Sequence, residues 1–160
     1  MPTIQSNLEQ IQKEIKDTEL KFGRQFQSVQ LLAVSKTKPK QAIIDALHAG
    51  QRQFGENYVQ EGVEKIQYFQ EHHSDIDIEW HFIGPIQSNK TKPIAENFDW
   101  VHSIDRAKVA QRLNDQRPSN KKPLQVLIQV NTSGEASKSG IEDQAVFELA
   151  KLINDMPNLT

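Results

Sequence analysis

Short apolar runs alternate along this chain with segments of helical periodicity, at a nearly constant interval. Candidate strands begin roughly every 20 to 27 residues, which is typical of consecutive βα units rather than of hairpins. A further amphipathic helix precedes the first strand, with Ser6 as its predicted N-cap. The predicted strands are 31–35, 53–55, 79–83, 99–103 and 124–130, and the predicted helices are 5–22, 40–49, 58–71, 90–96, 106–115 and 142–154.

Five βα units with right-handed crossovers form either an open doubly wound sheet or part of a β/α (TIM-type) barrel. Neither Gly-x-Gly-x-x-Gly nor a P-loop follows any strand, and this favours the barrel. A closed barrel needs about eight strands and about 250 residues. The 160 residues therefore predict a single, incomplete β/α-barrel domain over 1–160, with free edges at its first and fifth strands.

Composition excludes several classes of protein. The net charge of −2, from 19 basic and 21 acidic residues, gives no overall field that would attract nucleic acid or an anionic membrane. The absence of cysteine excludes a disulfide scaffold, a thiolate metal site and a cysteine nucleophile. No signal-peptide pattern or membrane-length apolar run is found, so we expect a cytoplasmic protein without nucleic-acid or membrane partners.

Lys36 is the main candidate functional residue. It ends the apolar run 31–34, and Pro39 follows three residues later, so Lys36 is predicted at the carboxyl end of a buried parallel strand. Functional residues of β/α folds lie at that edge. A partly desolvated lysine there has a lowered pKa and can form a Schiff base with an aldehyde cofactor or a carbonyl substrate. The alternative is a lysine that extends from the strand end into solvent.

Polar residues follow the other predicted strands and share the same edge. Asn57 is a candidate to form a hydrogen bond with a ring oxygen or a hydroxyl of a ligand. The alternative is an ordinary helix N-cap. Lys138 lies on a small-residue loop that either closes toward Lys36 or remains solvated. The whole set is Lys36, Lys38, Glu56, Asn57, Tyr58, Gly84, Gln87, Ser88, Asn89, His102, Ser103, Asp105, Asn131, Thr132, Ser133 and Lys138. It suits a small anionic ligand.

The histidines and acidic residues give weaker signals. His81 alternates with two aromatic residues in a predicted strand, so we expect a packed, hydrogen-bonded residue rather than a base. The adjacent residues His102 and Ser103 do not predict a hydrolase triad, because triad members usually converge from separate elements. Glu56 and Glu61 flank a helix start, where carboxylates often only complement the helix dipole.

Four segments of the chain form a distinctive set of motifs. They are Leu-Leu-Ala-Val-Ser-Lys-Thr-Lys-Pro (31–39), Gly-Gln-Arg-Gln-Phe-Gly-Glu-Asn-Tyr-Val-Gln-Glu (50–61), Trp-His-Phe-Ile-Gly-Pro-Ile-Gln-Ser-Asn-Lys (80–90) and Ser-Lys-Ser-Gly (137–140). Together they resemble the bacterial pyridoxal 5'-phosphate (PLP) homeostasis proteins. The resemblance runs in order over essentially the whole chain.

The resemblance implies a barrel of the alanine racemase N-terminal-domain kind that carries PLP as a Schiff base on Lys36. It places Asn57 in the cofactor pocket and Lys138 on a loop that handles the cofactor. It implies no catalytic turnover and no metal. The expected role is to buffer the cofactor, to deliver it to PLP-dependent apo-enzymes and to maintain vitamin B6, amino-acid and keto-acid balance.

The resemblance also implies a monomer when the protein is complete. Family members continue beyond the position of Thr160 with the segments that hold the phosphate, so we expect a C-terminal truncation and an affinity for PLP that is reduced or lost. The alternatives are a PLP-dependent racemase and a Schiff-base aldolase that use Lys36. A racemase of this fold needs a tyrosine base, and neither Tyr58 nor Tyr68 is placed to supply it.

Overall fold

The computed structural model describes residues 1–160 as a parallel five-stranded sheet with helices between the strands. The strands are β1 (Ala33–Val34), β2 (Gln53–Glu56), β3 (Glu79–Phe82), β4 (Trp100–Ile104) and β5 (Gln125–Ile128). The helices are α1 (Ile4–Lys21), α2 (Lys40–His48), α3 (Val59–His72), α4 (Thr91–Asn97), α5 (Ala107–Gln116) and α6 (Val146–Asn154).

The strand order is β1-β2-β3-β4-β5, and every neighbouring pair is parallel. This order is the one that consecutive βα units of a β/α barrel produce. The predicted fold class is confirmed as part of such a barrel.

Two helix starts differ from the predictions. Ser6 is not the N-cap of α1, because Thr3 takes that position. The Thr3 side chain accepts from the Ser6 amide at 3.1 Å, while the Ser6 hydroxyl accepts from the Thr3 amide at 2.9 Å, which forms a capping box. The helix predicted from residue 142 begins at Val146, because Asp143–Ala145 form a 3-10 turn first.

The core lies between the helices and one face of the sheet. Trp80 of β3 packs against Phe54 and Phe69, with ring centroids 5.8 and 5.9 Å away. Phe82 meets Phe98 edge to face at 5.3 Å. Each such buried side chain contributes about 1.5–3 kcal/mol of apolar burial. The packing fixes the sheet against its helices and so fixes the strand ends.

The opposite face of the sheet has no covering layer, and Val34 and Leu127 on β1 and β5 are 51% and 45% exposed. The prediction of a free edge at the fifth strand is wrong for its first half. Leu124 and Val126 exchange backbone hydrogen bonds of 2.8–2.9 Å with residues 158–160, since the end of the chain runs parallel to β5. None of the helices is both long and apolar enough to cross a bilayer.

Candidate functional site

Lys36 lies two residues beyond β1, in a turn formed by residues 35–37 at the carboxyl edge of the sheet. Its side chain is exposed, so the prediction that the sheet partly desolvates it is wrong. The physical reason is that β1 is short, lies at the sheet edge and borders the uncovered face. The amine is therefore open to an approaching ligand.

Contacts on both sides of Lys36 fix the 35–37 turn. Ser35 is buried, and its hydroxyl donates to Glu56 Oε1 at 2.8 Å. The Thr37 amide donates to Glu61 Oε1 at 2.6 Å. Thr37 also has a φ of 61°, a left-handed conformation that is unfavourable for a β-branched residue. The turn is held in a conformation that it would not favour alone.

A buried ion cluster lies beneath this turn. Lys65 Nζ is 2.7 Å from Glu56 Oε1 and 2.8 Å from Glu61 Oε1, and it donates to the Ser35 carbonyl at 2.7 Å. The side chains of Lys65, Glu56 and Glu61 are 5%, 0% and 28% exposed. Both carboxylates thus do more than complement the dipole of α3. Glu56 does not face the open edge at all, contrary to its predicted place among the edge residues.

The environment of Glu61 favours its charged form. Partial burial raises the pKa of Glu61, but the hydrogen bond from Lys65, the Thr37 amide and the charge of Lys65 together hold this pKa below its ordinary value of 4.5. The carboxylate therefore stays ionised and remains a strong acceptor for the Thr37 amide.

Lys65 was not predicted from the sequence as a member of the site. One signal was present: Lys65 lies four residues after Glu61, on the helix face that also carries Ile66 and Phe69. A lysine beside two large apolar residues at helical spacing is a candidate for burial, provided that a carboxylate meets it.

Asn57 lies at the same edge as Lys36. Val34 and Gly55 are partners in the β1–β2 register, so Lys36 and Asn57 each come two residues after that pair. Asn57 is not the N-cap of α3, because Tyr58 occupies that position. Instead, Asn57 Oδ1 is buried and has no hydrogen-bond partner. A buried, unpaired acceptor is costly, and a ligand that donates a hydrogen bond would satisfy it.

Lys138 lies in an exposed loop after β5. Asn131 organises that loop, since its Nδ2 donates to the Glu135 carbonyl at 2.9 Å, and the Lys138 amide donates to the same carbonyl at 3.0 Å. No hydrogen bond connects the Lys138 loop to residues 35–37. Its closure toward Lys36 stays a prediction.

The open face of the sheet carries a hydrogen-bonded chain of titratable groups. Glu79 Oε1 lies 2.7 Å from His81 Nε2, and His81 Nδ1 lies 2.8 Å from His102 Nε2. Because the carboxylate accepts, we assign the proton of His81 to Nε2, so that His102 donates to Nδ1. Burial lowers the pKa of both histidines, and for His102 the charge of His81 lowers it further. His81 is packed and hydrogen-bonded, as predicted.

No triad forms at β4. His102 bonds to His81, and the Ser103 hydroxyl donates to the Gly84 carbonyl at 2.6 Å. The two side chains therefore serve separate contacts and are not hydrogen-bonded to each other.

A cavity of about 520 Å³ lies at the opposite edge of the sheet. Its polar lining includes Arg52, Asp77, Glu79 and Asp99, near the amino ends of the strands. Ligands of β/α folds bind at the carboxyl ends instead. We therefore assign the candidate site to the Lys36 edge, despite the size of this cavity.

Known proteins resemble this chain over nearly its whole length. The family described as "Alanine racemase, N-terminal domain" matches residues 3–160. A pyridoxal phosphate homeostasis protein of Vibrio alginolyticus is 68% identical over 160 residues, which are 100% of this chain and 69% of the relative. One of Escherichia coli K12 is 55% identical over 99% of this chain and 68% of the relative. The chain belongs to the family of pyridoxal phosphate homeostasis proteins.

Solved structures support the family's fold. PipY of Synechococcus elongatus, solved with PLP bound, has a TM-score of 0.72 and 30% identity, over 91% of this chain and 66% of that chain. A protein of Bifidobacterium adolescentis has a TM-score of 0.88 and 29% identity, over 98% of this chain and 66% of that chain. The chain thus spans about two thirds of the length of the relatives that it matches.

Proposed function

We propose that this chain binds pyridoxal 5'-phosphate through Lys36 and serves to hold and deliver the cofactor rather than to turn over a substrate. The observation that carries the proposal is the exposed amine of Lys36 on a turn fixed at both flanking residues, at the functional edge of the sheet. Support also comes from the PLP-bound neighbour and from the names of the close relatives.

The residues at this edge fit the cofactor. PLP supplies an aldehyde, which condenses with a lysine amine to a Schiff base. Lys36 offers that amine to solvent, and Asn57 offers a buried, unpaired Oδ1 in the same register. Asn57 would accept a hydrogen bond from the bound molecule, while Lys138 would approach it from the loop after β5.

We favour a carrier role over racemisation because neither of the two tyrosines of this chain forms a hydrogen bond with Lys36. Tyr58 is 55% exposed at the start of α3. Tyr68 lies further along α3, stacks on His72 at 4.4 Å and lies under the Lys40 ammonium at 4.8 Å. We propose that residues 1–160 form a single, incomplete β/α-barrel domain and that the whole protein is a monomer. We also propose that PLP-dependent apo-enzymes receive its cofactor, which links the protein to vitamin B6, amino-acid and keto-acid balance.

Borohydride trapping tests the attachment. PLP is added to this chain, the adduct is reduced, and the modified lysines are mapped by peptide mass spectrometry. The same trapping is done with the chain joined to the part of the Vibrio alginolyticus relative that it does not cover. We expect the label at Lys36 in preference to its exposed neighbour Lys38. In the joined protein, we expect the same extent of labelling at a lower concentration of PLP. A label spread evenly over the lysines in both proteins would overturn the proposal.

The alternatives predict other outcomes. A Schiff-base aldolase would trap a sugar phosphate on Lys36 as readily as PLP. A racemase would convert one amino-acid enantiomer to the other in the joined protein. Trapping that is selective for PLP, without racemisation, supports the carrier.

A further inference from the structure

We propose that Glu61 and Lys65 are positioning residues that hold the 35–37 turn so that Lys36 presents its amine in one orientation. The inference rests on the proposed function and deepens it, since it assigns a task to a buried ion cluster that PLP itself need not touch.

The contacts place Lys36 between two anchors on different backbone groups. On one side, Lys65 Nζ binds the Ser35 carbonyl at 2.7 Å. On the other side, Glu61 Oε1 binds the Thr37 amide at 2.6 Å. Because Lys65 also binds Glu61 at 2.8 Å, the two anchors are joined to each other beneath the turn. The backbone before and after Lys36 is therefore fixed to the same helix, α3.

The cluster is itself fixed from below. Glu56 is fully buried at the end of β2, and its Oε1 accepts from both Lys65 and the Ser35 hydroxyl. The anchors thus connect the turn after β1 with the end of β2 and the first turns of α3. Adjacent strand ends are held in one register at the edge where the ligand is proposed to bind.

The backbone conformation shows why the anchor at Thr37 matters. Thr37 has a φ of 61°, a left-handed conformation that carries a strain cost for a β-branched residue. The hydrogen bond from its amide to an ionised carboxylate is charge-assisted and short, and it offsets that cost. Without Glu61, Thr37 would relax to an ordinary conformation and redirect the chain at Lys36.

The chain provides a matched control for this test. Glu61 and Glu64 lie on the same helix, but Glu64 is exposed, and its side chain accepts a hydrogen bond only from Gln60 Nε2, at 3.1 Å. Glu61→Ala removes the anchor, Glu61→Gln keeps an acceptor without the charge, and Glu64→Ala removes a carboxylate of the same helix that touches neither anchor.

The experiment measures trapping of Lys36 by two aldehydes. PLP requires an oriented amine, whereas propanal requires only an accessible one. Each aldehyde is reduced onto the protein with borohydride, and the labelling rate at Lys36 is followed by peptide mass spectrometry. Thermal melting is recorded for each variant, so that only folded proteins are compared.

We expect Glu61→Ala to slow PLP labelling at Lys36 by about 10- to 100-fold, because a displacement of the order of 1 Å has effects of this size. Glu61→Gln should fall between Glu61→Ala and the parent. Glu64→Ala should match the parent, and propanal should label Lys36 equally in all four proteins.

Equal PLP labelling of Lys36 in Glu61→Ala and the parent would overturn the inference while leaving the proposed function intact. Equal loss of propanal and PLP labelling would also overturn it, because that result indicates general unfolding or lost access. If the parent itself does not label at Lys36, the proposed function fails first. Should Glu61→Ala not fold, Glu61→Gln decides alone: labelling at the parental rate with both aldehydes would overturn the inference.

Discussion

Replacing Lys65 with methionine should strongly destabilise this protein. Methionine nearly preserves the volume of the side chain but removes its charge and its donors. Three contacts are lost, to Glu56, Glu61 and the Ser35 carbonyl, at 2.7, 2.8 and 2.7 Å. Glu56 is 0% exposed, so its carboxylate would remain in the interior without a counter-ion.

The expected size follows from that geometry. Removing one partner of a buried pair costs about 3–5 kcal/mol, chiefly because the other charge is left uncompensated. A domain of this kind has a free energy of unfolding of about 5–15 kcal/mol, so the loss is a large fraction of the total. Urea unfolding, followed by the fluorescence of Trp80 and Trp100, would give the change from the shift in midpoint at constant slope.

Two comparisons make the result specific. The double variant Glu56→Gln/Lys65→Met removes both buried charges, so it should recover most of the loss and cost less than about 2 kcal/mol. Lys92→Met breaks an exposed pair with Glu96 at 3.8 Å and should cost at most about 0.5 kcal/mol. A cost for Lys65→Met below about 1 kcal/mol, or a double variant less stable than the single one, would refute the reasoning.

Two further predictions concern the open face and the strand ends. Burial lowers the pKa of His81 and His102 below 6.5 in the folded state, so the unfolded chain binds more protons. The contribution of the two histidines to the free energy of unfolding is therefore fully present above about pH 6.5 and is lost as the pH falls through the folded-state pKa values. Urea unfolding at stepped pH would measure this loss. The charges of Glu79 and Asp99 act on His81 and moderate this lowering of its pKa. Replacing both histidines with glutamine removes both titrating groups, so it should flatten the dependence of stability on pH between about pH 7 and pH 5. Gly84→Ala should cost about 1–3 kcal/mol in urea unfolding, because the new Cβ would overlap a backbone carbonyl oxygen of the neighbouring strand end.

Matched variants test each of these predictions. His48→Gln changes an exposed histidine and should leave the pH profile unchanged; a flattened profile there would contradict the assignment. Burial raises the pKa of Asp99 above its ordinary value of 3.8, so the contribution of Asp99 to stability is lost as the pH rises through the folded-state pKa. This dependence is opposite in sign to that of the two histidines. Gly55→Ala meets only flexible side chains, Ile83 Cδ1 being 3.1 Å away, so it should cost less than Gly84→Ala. The reverse order would contradict the close approach at Gly84.

The sequence predicted the order and type of the elements because local signals define each of them. Buried parallel strands are short apolar runs, and the helices between them keep a 3.6-residue period. The ends were less predictable. Thr3 outcompetes Ser6 as N-cap through a reciprocal pair of hydrogen bonds, and β1 shrinks to two residues because only those pair with β2.

The site was predictable where it depends on a strand end and not where it depends on side chains that meet across elements. The positions after the first and second predicted strands identified Lys36 and Asn57 as candidates, and the β1–β2 register places the two at the same level of the sheet edge. Lys65 and Glu56 meet only because α3 packs over β2, a contact that no local pattern encodes. The expected burial of Lys36 was wrong because it depends on what covers the open face rather than on the strand itself.

An absorbance titration with pyridoxal 5'-phosphate tests whether Lys36 forms the Schiff base. It compares this chain, Lys36→Ala and, as a matched control, Lys38→Ala, each also joined to the part of the Vibrio alginolyticus relative that it does not cover. We expect a new Schiff-base absorption band in the parent and in Lys38→Ala that is absent from Lys36→Ala. The same band in Lys36→Ala, or no band in any of the joined proteins, would contradict this expectation.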